Sequence, residues 1–353
     1  MTTKETPYVG FTCAYTPLPL IEAAGYAPFR ILPMGDSPDR AGQLLHDNLC
    51  PHVKRVLDRA LDGDLPEMVG VVLMNSCDAM RRLADVWPSV RPNDRLILID
   101  LPFTPDEAAI SYFSGELSRL EKTLADWSGK PVSQEDLAEA IAAYNRLSSL
   151  FVTLRERMLN GSVAGGAARI QDLYNRAVTR PFLETLAVMD EMISDAASAG
   201  STGDEVPVYA FGNVLPDPEA FELFASCGAS VVDEDFCTGS RAFSPMDVTA
   251  SGNMLPQMAK ALLERPRCAR TLHGTKAGTL AQEVLDRAIA CKAQGVIACT
   301  AKFCDPYIAR MPSVRQILRE AGIPLLHIEG DCTMRSFGQQ RTRIEAFAEM
   351  LRG

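Results

Sequence analysis

Three cysteines stand where the residue pattern places chemistry. Met68 to Met74 (MVGVVLM) and Gly295 to Cys299 are continuous apolar runs that read as buried strands. Each run leads into a short loop carrying a cysteine, Cys77 in Asn75-Ser76-Cys77-Asp78 and Cys304 in Lys302-Phe303-Cys304-Asp305, before helical periodicity resumes. In parallel α/β units, ligands collect in the loops beyond the carboxyl ends of strands. The third, Cys50, sits at a helix start or kink because Pro51 follows it. If two α/β halves face each other across a cleft, thiolates from both could meet at one metal centre. Three thiolates suit zinc with an open position, or an iron–sulfur cluster with one iron left free. The sequence holds no CxxC, so spacing alone also fits separate buried thiols.

Other chemistry finds less support. Ten cysteines in a reducing compartment are not a disulfide framework, and Cys227, Cys268 and Cys291, in helices or at their edges, read as structural. The histidines His46, His52, His273 and His327 form no HExxH-like pair, and GxSxG, Walker and GxGxxG patterns are absent. Gly161 to Gly166 reads as a turn between helices. The acidic run Asp233-Glu234-Asp235 is either a divalent-ion loop or a solvated one, and Arg341 with Arg343 either meets a phosphate or decorates a helix. A net charge of -10 disfavours nucleic acid as a partner. No segment has a signal peptide's apolar core or the length to span a bilayer, which points to the cytoplasm.

The elements that must position these thiols divide in three. Residues 1–105 read as a parallel α/β domain, with strands at Tyr8–Cys13, Phe29–Pro33, Met68–Met74 and Arg95–Asp100. Residues 106–200 read as a helical connector, with helical patterns over 107–127, 133–160 and 167–197, and residues 199–205 as a linker. Residues 201–353 read as a second α/β domain, with strands at Val206–Phe211, Ala229–Val232, Gly295–Cys299 and Ile323–Ile328. The expected fold is thus α/β, two Rossmann-like or flavodoxin-like parallel sheets joined by a helical segment.

Several stretches carry a resemblance: GFTCAYTPLPLIEAAGYAPFRI (10–31), NSCDAMRRLADVW (75–87), VVDEDFCTGSR (231–241), KFCDPY (302–307) and GIPLLHIEGD with GQQRTRIEAFAEML (322–351). Together they resemble the D-component family of 2-hydroxyacyl-CoA dehydratases, which includes benzoyl-CoA reductase subunits. The resemblance implies an iron–sulfur cluster held by three cysteines, matching Cys50, Cys77 and Cys304, with Cys13 and Cys237 in family motifs but not ligands. It implies a 4Fe–4S cluster, with a double-cubane cluster as the alternative, and low-potential one-electron (ketyl radical) chemistry on an acyl-CoA thioester. Dehydration is the first expectation. A benzoyl-CoA reductase-type or double-cubane reductase, or an electron relay without its own substrate site, is the alternative. Implied partners are a homologous second subunit or a second copy, and an ATP-dependent iron–sulfur activator. Where the family usually reads PEEL, this chain has Pro17-Leu18-Pro19-Leu20, leaving nearby Glu22 as the candidate acid or base.

Overall fold

The computed structural model describes residues 6–34, 39–194, 205–250, 252–266, 268–271, 279–331 and 337–353. Most of the expected linker, 199–204, lies outside them, as does His273. Two four-stranded parallel sheets form the frame. The first joins β1 (Tyr8–Phe11), β2 (Ala27–Arg30), β3 (Met68–Asn75) and β4 (Arg95–Asp100) in the order β2-β1-β3-β4. The second joins β5 (Val206–Gly212), β6 (Ala229–Asp235), β7 (Gly295–Ala301) and β8 (Leu325–Gly330) in the order β6-β5-β7-β8. The two orders are the same, sheet for sheet. Each is the flavodoxin-like order, with a switch point between its first and third strands, so the expected α/β class holds.

The apolar runs explain the strands. Every residue of β7 is buried, as helices on both faces require of a continuous hydrophobic run. Glycines let strands approach closely: a Cβ on Gly212 would lie 1.8 Å from the Cys299 carbonyl oxygen. Around the sheets run α1 (Leu18–Ala23), α2 (Pro51–Leu61), α3 (Asp78–Val90), α4 (Glu107–Ser128), α5 (Gln134–Leu159), α6 (Gly166–Thr179) and α7 (Phe182–Ser194). The second half adds α8 (Pro218–Ser226), α9 (Leu255–Glu264), α10 (Thr279–Ala290), α11 (Asp305–Glu320) and α12 (Phe337–Arg352).

Two helical expectations change. The pattern over 167–197 is two helices, α6 and α7, because Pro181 cannot continue the hydrogen-bond ladder. The segment from Ala41 to Leu61, whose Leu44, Leu45, Val53, Val56, Leu57 and Leu61 recur at helical spacing in the sequence, becomes helical in earnest only at Pro51, with a short 3-10 turn at Ala41–Gln43 before it. Further on, Ser133 caps α5 by accepting from the Asp136 amide at 3.0 Å, as its spacing suggests.

The helices of 107–194 share one core with both halves. Phe113, Leu117 and Leu120 of α4, Leu137 and Tyr144 of α5, and Met258 and Leu262 of α9 pack with Val72 and Ile97 of the first sheet. A charged clamp supports them from the other side: Arg155 of α5 and Arg287 of α10 donate to opposite oxygens of Asp233 in β6, at 2.6 and 2.5 Å. The acidic run is therefore neither solvated nor an ion loop. It lies buried in β6, with Asp233 paired as above and Asp235 paired to Arg241, while Glu234 accepts from the Phe236 and Ser240 amides.

Candidate functional site

The three cysteines singled out in the sequence share a local geometry. Cys50, Cys77 and Cys304 are the N-cap residues of α2, α3 and α11, so each thiol sits where a helix presents unpaired amide donors. The nearby Val53, Met80 and Tyr307 amides favour the thiolates of Cys50, Cys77 and Cys304 respectively, without forming a side-chain cap hydrogen bond. Helix N-termini favour thiolates. Burial opposes them and wins, pushing Cys50 up to about 11 and raising Cys77 and Cys304. These thiols remain protonated unless a metal takes the proton's place.

The three also meet. Cys50, Cys77 and Cys304 line one buried cavity of about 90 Å3, and Cys13, Cys237 and Cys268 line it with them. Cys13 follows β1 and Cys237 follows β6, while Cys268 lies beyond α9. Electrostatic coupling sorts the six. Charge on Cys77 raises Cys50, and charge on Cys50 and Cys77 raises Cys304; charge on Cys237 and Cys268 raises Cys13, and charge on Cys237 raises Cys268. Cys304 and Cys268 couple the two triads. Among the described residues no three His, Cys, Asp or Glu side chains converge closely enough for a single metal ion. A polynuclear centre needs its thiols spread around it, and the cavity exceeds the roughly 10–15 Å3 that one water-sized sphere requires.

Arginines stand in and behind the cavity wall: Arg241 and Arg270 line it, while Arg30 and Arg265 bond to its lining residues Cys237 and Ala14. Arg30, Arg241, Arg265 and Arg270 are all buried. Arg241 pairs with Asp235 at 2.9 Å and donates to Tyr307 Oη at 3.2 Å. The other three bind oxygens that carry no charge. Arg265 donates to Ala14 O at 2.6 Å and Tyr144 Oη at 3.1 Å, and Arg270 to Leu101 O at 2.7 Å and Pro102 O at 2.9 Å. Arg30 donates to the Cys237 and Thr12 carbonyls and, at 3.1 Å, to Cys237 Sγ. Nη1 of Arg241 and Nε of Arg265 and Arg270 are buried without a partner among the described residues. Buried guanidinium charge without a carboxylate costs several kcal/mol, so the surroundings favour an anion in their midst. One thiol already responds: burial would raise Cys237, but Arg30 and Arg241 outweigh it and hold the thiol below its ordinary value. His52, also in the wall, is pushed down to about 3 by burial and by Arg30, and stays neutral.

A cleft of about 1050 Å3 opens beside this cavity, and Ser76, Cys77, Arg270 and Pro306 belong to both. Exposed Phe103 and Tyr112 line it, with Arg81 and Arg310. The Arg270 guanidinium lies 4.5 Å from the centre of the Phe103 ring. Within the lining Asn75 donates to Asp100 at 2.6 Å, while Tyr112 Oη donates to the other Asp100 oxygen at 3.0 Å.

Glu22 is not brought to this site. It lies on α1, outside the lining of both the cavity and the cleft, and burial pushes its carboxyl up to about 7 with Oε2 unpartnered among the described residues. Conversely, Cys13 and Cys237, expected as non-ligands, and Cys268, expected as structural, all share the cavity with the chosen triad. Cys13 carries a signal: like Cys77 it follows a strand and precedes a helix. Cys268 carries none, because its loop meets the others only through the fold.

Residues 13–351 match the family described as 2-hydroxyglutaryl-CoA dehydratase, D-component. The lactoyl-CoA dehydratase beta subunit of Anaerotignum propionicum is 26% identical over 352 residues, covering 97% of this chain and 91% of that protein. The (R)-2-hydroxyglutaryl-CoA dehydratase beta subunit of Acidaminococcus fermentans is 24% identical over 358 residues, covering 97% and 92%. A benzoyl-CoA reductase subunit of Thauera aromatica is 20% identical over 324 residues, covering 90% and 84%. The chain belongs to the D-component family of 2-hydroxyglutaryl-CoA dehydratases.

Proposed function

We propose that the chain is the iron–sulfur subunit of a 2-hydroxyacyl-CoA dehydratase-like enzyme, with Cys50, Cys77 and Cys304 as thiolate ligands. The observation that carries this reading is one buried cavity lined by thiols and by Arg241 and Arg270, with Arg30 and Arg265 behind it; of these four arginines only Arg241 has a carboxylate partner among the described residues. A thiolate-bound cluster is anionic, and that charge would offset Arg30, Arg265 and Arg270. When bound, such a cluster supplies a single low-potential electron to a thioester substrate. The protein's share is binding, exclusion of water and charge. Helix N-termini stabilise the thiolates, while Phe11, Tyr15 and Tyr307, all buried, keep solvent from their surroundings. The adjoining cleft gives an acyl-CoA a route that ends at Cys77 and Arg270. Relatives that are beta subunits of dehydratases support a homologous partner subunit, and an ATP-dependent activator would deliver the electron. No helix among the described residues is long and apolar enough to cross a membrane.

The six thiols favour a second reading of the same site. Because Cys13, Cys237 and Cys268 line the cavity together with Cys50, Cys77 and Cys304, a double-cubane cluster with the first three as additional ligands is that reading. A chain of that kind is a reductase or electron relay, and forms its dimer with a second copy. Single alanine replacements separate the two. Under one four-iron cluster, Cys50→Ala, Cys77→Ala and Cys304→Ala lose iron while Cys13→Ala, Cys237→Ala and Cys268→Ala keep it. Under the larger cluster all six lose it. Cys291→Ala, outside the cavity, keeps iron in either case, and equal iron in all seven variants refutes the ligand assignment.

A further inference from the structure

Arg30 ends β2 in the first sheet, and its guanidinium reaches a thiol of the second half. Nη1 donates to Cys237 O at 2.7 Å, and Nη2 donates to Cys237 Sγ at 3.1 Å and to Thr12 O at 3.2 Å. The side chain is buried, and its ring neighbour is Phe11, 5.9 Å from the guanidinium carbon to the ring centre. Among the described residues no carboxylate lies within ion-pair distance of it, unlike Arg241, which has Asp235. Its positive charge is thus spent on two carbonyls and a sulfur. A purely structural tie between the halves would need only the carbonyls.

We propose that Arg30 is a positioning residue for the thiol-bound group: its N–H fixes the Cys237 sulfur and its charge favours the group's reduced state. The inference rests on the second reading above, in which Cys237 is a ligand. One-electron reduction adds one negative charge and makes or breaks no bond at Arg30, whose protons stay on the guanidinium. In a low-dielectric interior a fixed positive charge lowers the energy of the more negative state. Hydrogen bonds to cluster sulfurs act in the same direction. Lysine keeps the charge but cannot reproduce the fork that reaches Cys237 O, Cys237 Sγ and Thr12 O together.

The test compares the full chain with Arg30→Lys and Arg30→Met after anoxic reconstitution with iron and sulfide. Iron and acid-labile sulfide are measured alongside the midpoint potential, by spectroelectrochemistry with low-potential mediators. The expected result is a midpoint shifted downward in Arg30→Met, and downward by less in Arg30→Lys, at wild-type iron content. A structural tie would not move the potential of a chain that keeps its iron. Wild-type potential at full iron content in Arg30→Met therefore overturns the inference and leaves the cluster reading standing. If Arg30→Met takes up no iron, Arg30→Lys decides: a downward shift supports the role, and an unchanged potential overturns it. A wild-type chain that takes up no iron overturns the functional reading and this inference with it.

Discussion

Each residue in the cavity answers a different demand. Thiols offer soft ligands, helix starts set backbone amides near three of them, and of the arginines in and behind the wall only Arg241 has a carboxylate partner among the described residues. Because burial raises most of these thiols, iron binding must displace protons, and cluster assembly is expected to weaken as the pH falls. Glu22 makes a separate case. Its carboxyl is raised from 4.5 to about 7 by burial, so the folded chain holds a proton that the unfolded chain releases. Its stabilising contribution is full below 4.5 and is lost as the pH rises through about 7. Glu22→Gln should therefore melt above the wild type at about pH 8 and match it at about pH 4. Thermal scans of the iron-free chain at both pH values check this, and parallel curves would contradict it. At this scale Cys50, Cys77 and Cys304 are legible in the sequence, because each stands at a recognisable strand end or helix start. Arg30 beside Cys237, 207 positions away, is not.

Among the elements, strands are the most legible. All eight described strands come from short apolar runs bounded by turn residues, and each can be placed from the sequence to within a few residues. Helix breaks are less so, since the pattern over 167–197 continues through Pro181 while the hydrogen bonds do not. Strand spacing is set locally by glycine, and Gly212 is the tightest example. Its carbonyl accepts from Tyr307 Oη and, at 3.2 Å, from Arg241, so the end of β5 holds two residues of the cavity wall. Gly212→Ala would drive a methyl into the Cys299 carbonyl and toward Phe236. Overpacking of this kind costs about 1–3 kcal/mol, and backbone on the receiving side puts this site at the upper end. A lowered urea midpoint is expected, with less iron retained per chain. An unchanged midpoint would mean that β5 and β7 separate freely.

In the whole molecule, two sheets of the same strand order bring their switch points to one cavity. Cys13 and Cys77 come from the ends of β1 and β3, Cys304 and Asn213 from those of β7 and β5. The similar outlines of the two halves are visible in the sequence, but their mutual placement is not, since it depends on contacts such as Arg270 to Leu101 O and Arg265 to Ala14 O. The helical segment between them is likewise readable as helices, while its role in joining the halves emerges only from its shared core and the Asp233 clamp. All of these features support the proposal that the cavity would hold an iron–sulfur cluster bound by thiols from both halves. Iron and acid-labile sulfide per chain, measured after anoxic reconstitution, test that claim most directly. Both are expected in comparable amounts, and each should fall in Cys77→Ala and in Cys304→Ala, one ligand from either half. A reconstituted wild-type chain with neither iron nor sulfide would contradict it.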